Sequence, residues 1–148
     1  MNAAGRPVRE AESAGTGAAP LLEATGITKR YGRYTALDAV DLRIEAGRTV
    51  SIVGESGSGK STLARVLVGL ERADSGTVRF RGDTVRGRRA RRAFHRSVGM
   101  VFQDPYESLD PRLTIGDAVA EPLRAQRLHR HDERDRVREL LDAVGMEA

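Results

Sequence analysis

The sequence predicts an α/β fold with a phosphate-loop core, and three observations carry that expectation. Short β-branched segments alternate with segments of helical period. One of them, Arg48-Thr-Val-Ser-Ile-Val53, runs straight into Gly54-Glu-Ser-Gly-Ser-Gly-Lys-Ser-Thr62. Behind that loop, Leu63, Ala64, Val66, Leu67 and Leu70 fall on one helical face. Strand, glycine-rich loop and helix in this order are the context a phosphate loop requires.

The remaining elements follow in chain order. Residues 1–20 are rich in Ala, Gly, Glu and Arg, carry Pro7 and Pro20, and read as a disordered tail. They have no apolar core of the kind a secretory signal needs. Leu21 to Lys29 is a first strand. Val40, Leu42 and Ile44 alternate with Asp41, Arg43 and Glu45, the period of a half-buried strand. Ala46-Gly47 then turns the chain toward 48–53. Asp74-Ser-Gly76 is a turn signal, Thr77 to Arg81 alternates again, and Gly82-Asp83 turns it back. Val85 to Arg96 is a short basic helix or a loop. Val98 to Phe102 is a compact apolar strand, and Gln103 to Arg112 is a loop. A helical stretch begins near 113. Thr114 caps a helix with Asp117 in its first turn, and Pro122 interrupts or kinks it. Asp132 caps the last helix, whose stripe is Val137, Leu140, Leu141 and Val144, and Gly145 stops it. No internal repeat is apparent.

The loop at 54–62 states a chemistry. Gly54, Gly59, Lys60 and Ser61 satisfy the G-x-x-x-x-G-K-[ST] pattern. Glycines let backbone amides close around phosphate oxygens, because a Cβ would block the approach. A helix opening at Lys60 aims its positive end at the same anion. The Lys60 ammonium reaches the outer phosphates, and the Ser61 hydroxyl can hold Mg²⁺.

Composition sets bounds. At 148 residues the chain is long enough for one domain with a core. No run of about 18 apolar residues occurs, so no sequence segment has the length of a membrane span. Without a single cysteine, disulfides and thiolate metal sites are excluded. The net charge is +4, and eight arginines lie between Arg79 and Arg96. A nucleic-acid or anionic-lipid patch is one reading of that run. A solvated face is the other, and it is preferred. Lys29 and Lys60 are the only lysines, so arginine is the general basic residue here, and only Phe80 and Phe94 interleave the run.

Four segments together resemble the ATP-binding subunit of an ABC transporter, from about residue 21 to the end. Lys29-Arg-Tyr-Gly32 is similar to the family's A-loop, which implies that Tyr31 stacks on adenine. Gly54 to Thr62 is the Walker A loop, so Gly54, Glu55, Ser56, Gly57, Ser58, Gly59, Lys60, Ser61 and Thr62 are the implied ATP-binding residues. Asp74-Ser-Gly-Thr-Val78 resembles the segment that closes the family's antiparallel β-subdomain. Met100-Val-Phe-Gln-Asp-Pro105 resembles the Q-loop, which implies that Gln103 touches Mg²⁺ and the attacking water. Phe102-Gln-Asp-Pro-Tyr-Glu-Ser-Leu-Asp-Pro-Arg112, with Ala120-Glu-Pro-Leu123, is similar to the dipeptide/oligopeptide importer branch, which also includes nickel importers.

The resemblance implies ATP and Mg²⁺ as ligands. It implies membrane permease subunits docking near 103–112, a second ATPase subunit, and indirect work with an extracytoplasmic solute-binding protein. It implies a cytoplasmic position, peripheral at the inner face of the membrane, and no nucleic-acid partner. The family's Leu-Ser-Gly-Gly-Gln signature, its Walker B segment with a catalytic Glu, and its switch His do not occur after Gly145. The chain therefore reads as the front of a longer ATPase, able in principle to hold ATP and not expected to hydrolyse it alone, and by itself prone to aggregate or partly molten. Two other readings stay open from the residues. In one, Val98-Gly-Met-Val-Phe-Gln-Asp104 supplies a Mg²⁺ ligand, Asp104, to a self-contained small NTPase or kinase. In the other, the Arg79 to Arg96 run binds nucleic acid.

Overall fold

The computed structural model describes residues 19–104, 109–126, 128 and 131–146. Residues 1–18 of the expected tail at 1–20 and the loop segment 105–108 lie outside the described residues. The chain divides into two compact units, Met1–Gly99 and Met100–Ala148.

The first unit is built on a four-stranded antiparallel sheet in the order β2-β1-β3-β4. Its strands are β1 (Leu22–Tyr31), β2 (Tyr34–Ile44), β3 (Ser75–Phe80) and β4 (Asp83–Thr84). Between β2 and β3 comes α1 (Lys60–Leu67), and after β4 comes α2 (Gly87–His95). Period-two patterning explains the sheet: Leu22, Ala24 and Leu37 are buried while their chain neighbours Glu23 and Asp38 are not. Ile27 is completely buried. The register slips between Ala24 and Ile27, where the Gly26 amide leaves the ladder and donates to Asp41 Oδ1 at 2.6 Å.

The core closes on one face of the sheet. Leu63, Val66 and Leu67 of α1 and Phe94 of α2 pack with Leu22, Ala24, Ile27 and Leu37. Phe80 meets Phe94 edge-on, with ring centroids 5.3 Å apart. Leu70, expected on the α1 stripe, lies beyond the helix and is exposed.

Gly76 corrects one expectation. Asp74-Ser-Gly76 reads as a turn, yet β3 already begins at Ser75. A Cβ on Gly76, whose φ is 94°, would stand 2.4 Å from the Gly26 carbonyl oxygen. The glycine marks a close strand–strand approach rather than a reversal.

Two expected strands are not formed. Residues 48–53 and 98–102 belong to no strand. Their composition is right for strands, but a strand also needs a neighbour to supply its ladder hydrogen bonds. Among the described residues neither finds one, and Val53 and Val101 are left 81% and 97% exposed.

The second unit pairs α3 (Ile115–Gln126) with α4 (Glu133–Asp142). Thr114 caps α3 as expected: its Oγ1 accepts from the Asp117 amide at 3.1 Å and donates to the Asp117 carboxylate at 2.8 Å. Pro122 is carried inside α3, which continues to Gln126. Arg124 reaches Glu133 at 2.7 Å and Asp117 at 3.3 Å, joining the two helices. Asp132 stands at the α4 N-cap but makes no side-chain capping bond. Gly145, at φ 77°, follows α4, and the Met146 amide returns to the Leu141 carbonyl at 3.0 Å. No helix among the described residues is long and apolar enough to cross a membrane.

Candidate functional site

Two parts of the first unit meet at a cavity of about 270 Å³. One is the loop 54–59 with the start of α1. The other is the tip of the β1–β2 hairpin.

The loop rests directly on β2. Gly59 is the N-cap of α1 with φ 91°, a region that favours glycine. A Cβ there would come 2.4 Å from the Ala36 carbonyl oxygen and 3.1 Å from Leu37 Cδ2. Glycine is therefore required twice, for its φ and for the contact. The first backbone bond of α1 runs from the Leu63 amide to the Gly59 carbonyl at 2.8 Å. Amides before Leu63 have no carbonyl four residues back within the helix, so the N-terminus presents donors and a positive dipole end to the cavity.

Lys60 is folded over its own loop. Its ammonium donates to the Gly54 carbonyl at 2.9 Å, the Glu55 carbonyl at 2.6 Å and Ser58 Oγ at 3.3 Å. Three donors on a point charge meet three neutral acceptors. A phosphate oxygen is a better partner than a carbonyl, because both members of that bond are ionised. The donor set thus fits a polyphosphate: a movable ammonium, open helix-terminal amides, and a loop stripped of Cβ atoms at its contacts.

Of the sequence-expected residues, Gly57, Gly59, Lys60, Ser61 and Thr62 line the cavity together with Tyr31. Gly54, Glu55, Ser56 and Ser58 lie in the loop without lining it, and the first two face Lys60 through their carbonyls. Gln103 is exposed, in the second unit.

Tyr31 is held from behind. Its hydroxyl donates to Glu71 Oε1 at 2.5 Å. Lys29 pairs with the same carboxylate at 3.2 Å, donates to the Arg72 carbonyl at 2.9 Å, and lies 5.3 Å from the centre of the Tyr31 ring. The bond to Glu71 raises the Tyr31 phenol above its ordinary value, helped by partial desolvation and opposed by Thr62. The same bond, opposed by partial desolvation and helped by Lys29, holds the Glu71 carboxyl below the usual range.

Sequence reasoning missed two neighbours. Tyr34 lines the cavity, and its hydroxyl donates to the Gly57 carbonyl at 2.9 Å. The Tyr-Gly-Arg-Tyr spacing was available as a signal, since a two-residue turn sets its flanking residues opposite each other. Glu71 lies 40 positions from Tyr31 and belongs to no motif, so nothing local announces it.

The arginine run forms much of α2 and its flanks. Phe94 is buried, while Arg88, Arg89, Arg91 and Arg92 are exposed. Arg91 donates to the Gly69 carbonyl at 3.2 Å.

The family profile of the ABC transporter matches residues 37–148. A di/tripeptide transport ATP-binding protein, DppF of Pseudomonas aeruginosa, is 44% identical over 124 residues, which is 82% of this chain and 38% of that protein. The oligopeptide transport ATP-binding protein OppF of Lactococcus lactis is 46% identical over 75% of this chain and 36% of its own length. The chain thus spans less than two-fifths of these relatives. Among solved structures, the dimeric MJ0796 bacterial ABC transporter cassette is 30% identical with a TM-score of 0.70, covering 85% of this chain and 58% of that one. The cbiO1 protein of Clostridium perfringens, part of the cbiONQ ABC transporter complex, is 27% identical with a TM-score of 0.68, covering 87% and 52%. The profile covers most of the chain, including the phosphate loop, and the chain belongs to the ABC transporter family.

Proposed function

We propose that this chain is the ATP-binding portion of the ATPase subunit of a di- or oligopeptide importer. The observation that carries the reading is Lys60, whose ammonium sits on neutral loop acceptors at a helix N-terminus and so has an anion to gain. Lys60 and the amides from Gly57 to Thr62 hold the phosphates. Tyr31 stacks on adenine, with Glu71 fixing its phenol. Ser61 would hold Mg²⁺, which when bound would neutralise charge on the phosphate oxygens, and Gln103 keeps the Mg²⁺ and water role that the family resemblance implies. The step assigned to these residues is binding, and hydrolysis belongs to the assembled transporter.

The peptide reading is supported by the names of the relatives, DppF and OppF, at 44% and 46% identity. A second ATPase subunit is supported by the dimeric state named for the MJ0796 cassette. Permease subunits dock near residues 103–112, with the solute-binding protein acting on the far side of the membrane, and the chain works peripherally at its inner face.

The experiment is uptake of a labelled dipeptide by the cells that carry this chain. Lys60→Ala at the chromosomal locus should abolish it. Undiminished uptake of di- and oligopeptides by that strain would remove the peptide assignment.

A further inference from the structure

We propose that Tyr34 is a second base-contacting residue, so that Tyr31 and Tyr34 form a two-ring platform for a purine nucleoside triphosphate. The proposal rests on the nucleotide reading above and extends it to a residue that no motif marks.

The platform follows from the ladder. Tyr31 ends β1, Tyr34 begins β2, and the two are register partners across the two-residue turn Gly32-Arg33. Directly opposed residues of an antiparallel pair project to the same face, with Cβ atoms about 5 Å apart. Both rings line the cavity that also holds Lys60 and Ser61.

Each ring is tied at its far end, and in a different direction. The Tyr31 hydroxyl is bound to Glu71, while the Tyr34 hydroxyl is bound to the Gly57 carbonyl of the phosphate loop. A phenol with a bonded hydroxyl has few rotamers left, so both faces are set before a ligand arrives. Yet the rings are 46% and 57% exposed. Two tethered, half-exposed tyrosines line the same cavity as the Lys60 ammonium and the start of α1, which matches the two kinds of group, base and phosphate, that a nucleotide presents. Stacking tolerates any base but gains with ring area, which favours purines.

A plain alternative exists, in which Tyr34 only braces the loop through Gly57. The two roles separate when base and phosphate are probed apart. Binding of MgATP and of inorganic tripolyphosphate is measured calorimetrically for the chain and for Tyr34→Ala and Tyr34→Phe. The platform predicts that Tyr34→Ala weakens ATP at least about fivefold and leaves tripolyphosphate unchanged. Tyr34→Phe keeps the ring and should stay within about twofold of the unaltered chain for ATP. Equal weakening of both ligands by Tyr34→Ala, or no weakening of ATP, overturns the proposal. Binding of neither ligand by the unaltered chain sinks the nucleotide reading itself, and the platform with it. Should Tyr34→Ala not fold, magnetisation transfer between adenine protons and the Tyr34 ring in the unaltered chain decides. Contacts to both tyrosines are expected, and contacts to Tyr31 alone overturn the platform.

Discussion

The antiparallel sheet and the segment that feeds the phosphate loop both carry strand-forming residues and meet opposite fates. β1 and β2 join through a two-residue turn, pair along their length and bury Ile27 completely. Residues 48–53 are more β-branched than either strand, yet belong to no strand and leave Val53 81% exposed. The sheet finds its partners close by, since a hairpin needs only a short turn. The feeding segment has the pattern of a buried parallel strand, which needs neighbours brought in by long crossovers. Apolar pattern selects the strand state, and an available partner realises it. The same contrast holds for 98–102, where Val101 is 97% exposed.

The contrast is tested most strongly by truncating both kinds of apolar residue. Ile27→Ala should cost about 2–5 kcal/mol in urea unfolding, because it opens a cavity under the sheet. Val53→Ser should change stability by no more than about 0.5 kcal/mol, since its side chain is already in water. It should also lower binding of a hydrophobic dye and slow aggregation. A loss of stability at Val53 comparable to that at Ile27 would mean that the segment is packed and that the contrast is wrong.

A smaller effect concerns Tyr31, where β1 reaches into the site. Glu71 is held below its ordinary value of 4.5, and Tyr31 above its ordinary value of 10.0, by the bond they share. A lowered carboxyl stabilises the fold above 4.5 and loses that contribution as pH falls through its lower folded value. A raised phenol contributes below 10.0 and loses it as pH rises through its higher folded value. The tie is thus intact from mildly acidic to mildly alkaline pH. Glu71→Gln should bring the Tyr31 ionisation, followed by its ring resonances, back toward the ordinary phenol value. No change in that titration would show that Glu71 is not its partner.

Legibility followed the same division. The hairpin strands, the loop from Gly54 to Thr62 and the Thr114 cap were readable because each is fixed by residues a few positions apart. Gly76 was misread because a glycine that turns the chain and one that admits a neighbouring strand look alike in sequence. Segments 48–53 and 98–102 were misread because a residue's period does not name its ladder partner. Tyr34 was within reach, since the Tyr-Gly-Arg-Tyr spacing sets the two rings on one face. Glu71 was not, because its contact with Tyr31 exists only once α1 has packed on the sheet.

The central claim is that the loop on β2 binds ATP through Lys60. Calorimetric titration of the chain with MgATP, beside Lys60→Ala, tests it most directly. Saturable binding by the unaltered chain that disappears in Lys60→Ala is the predicted result. Equal micromolar binding by both would contradict the account.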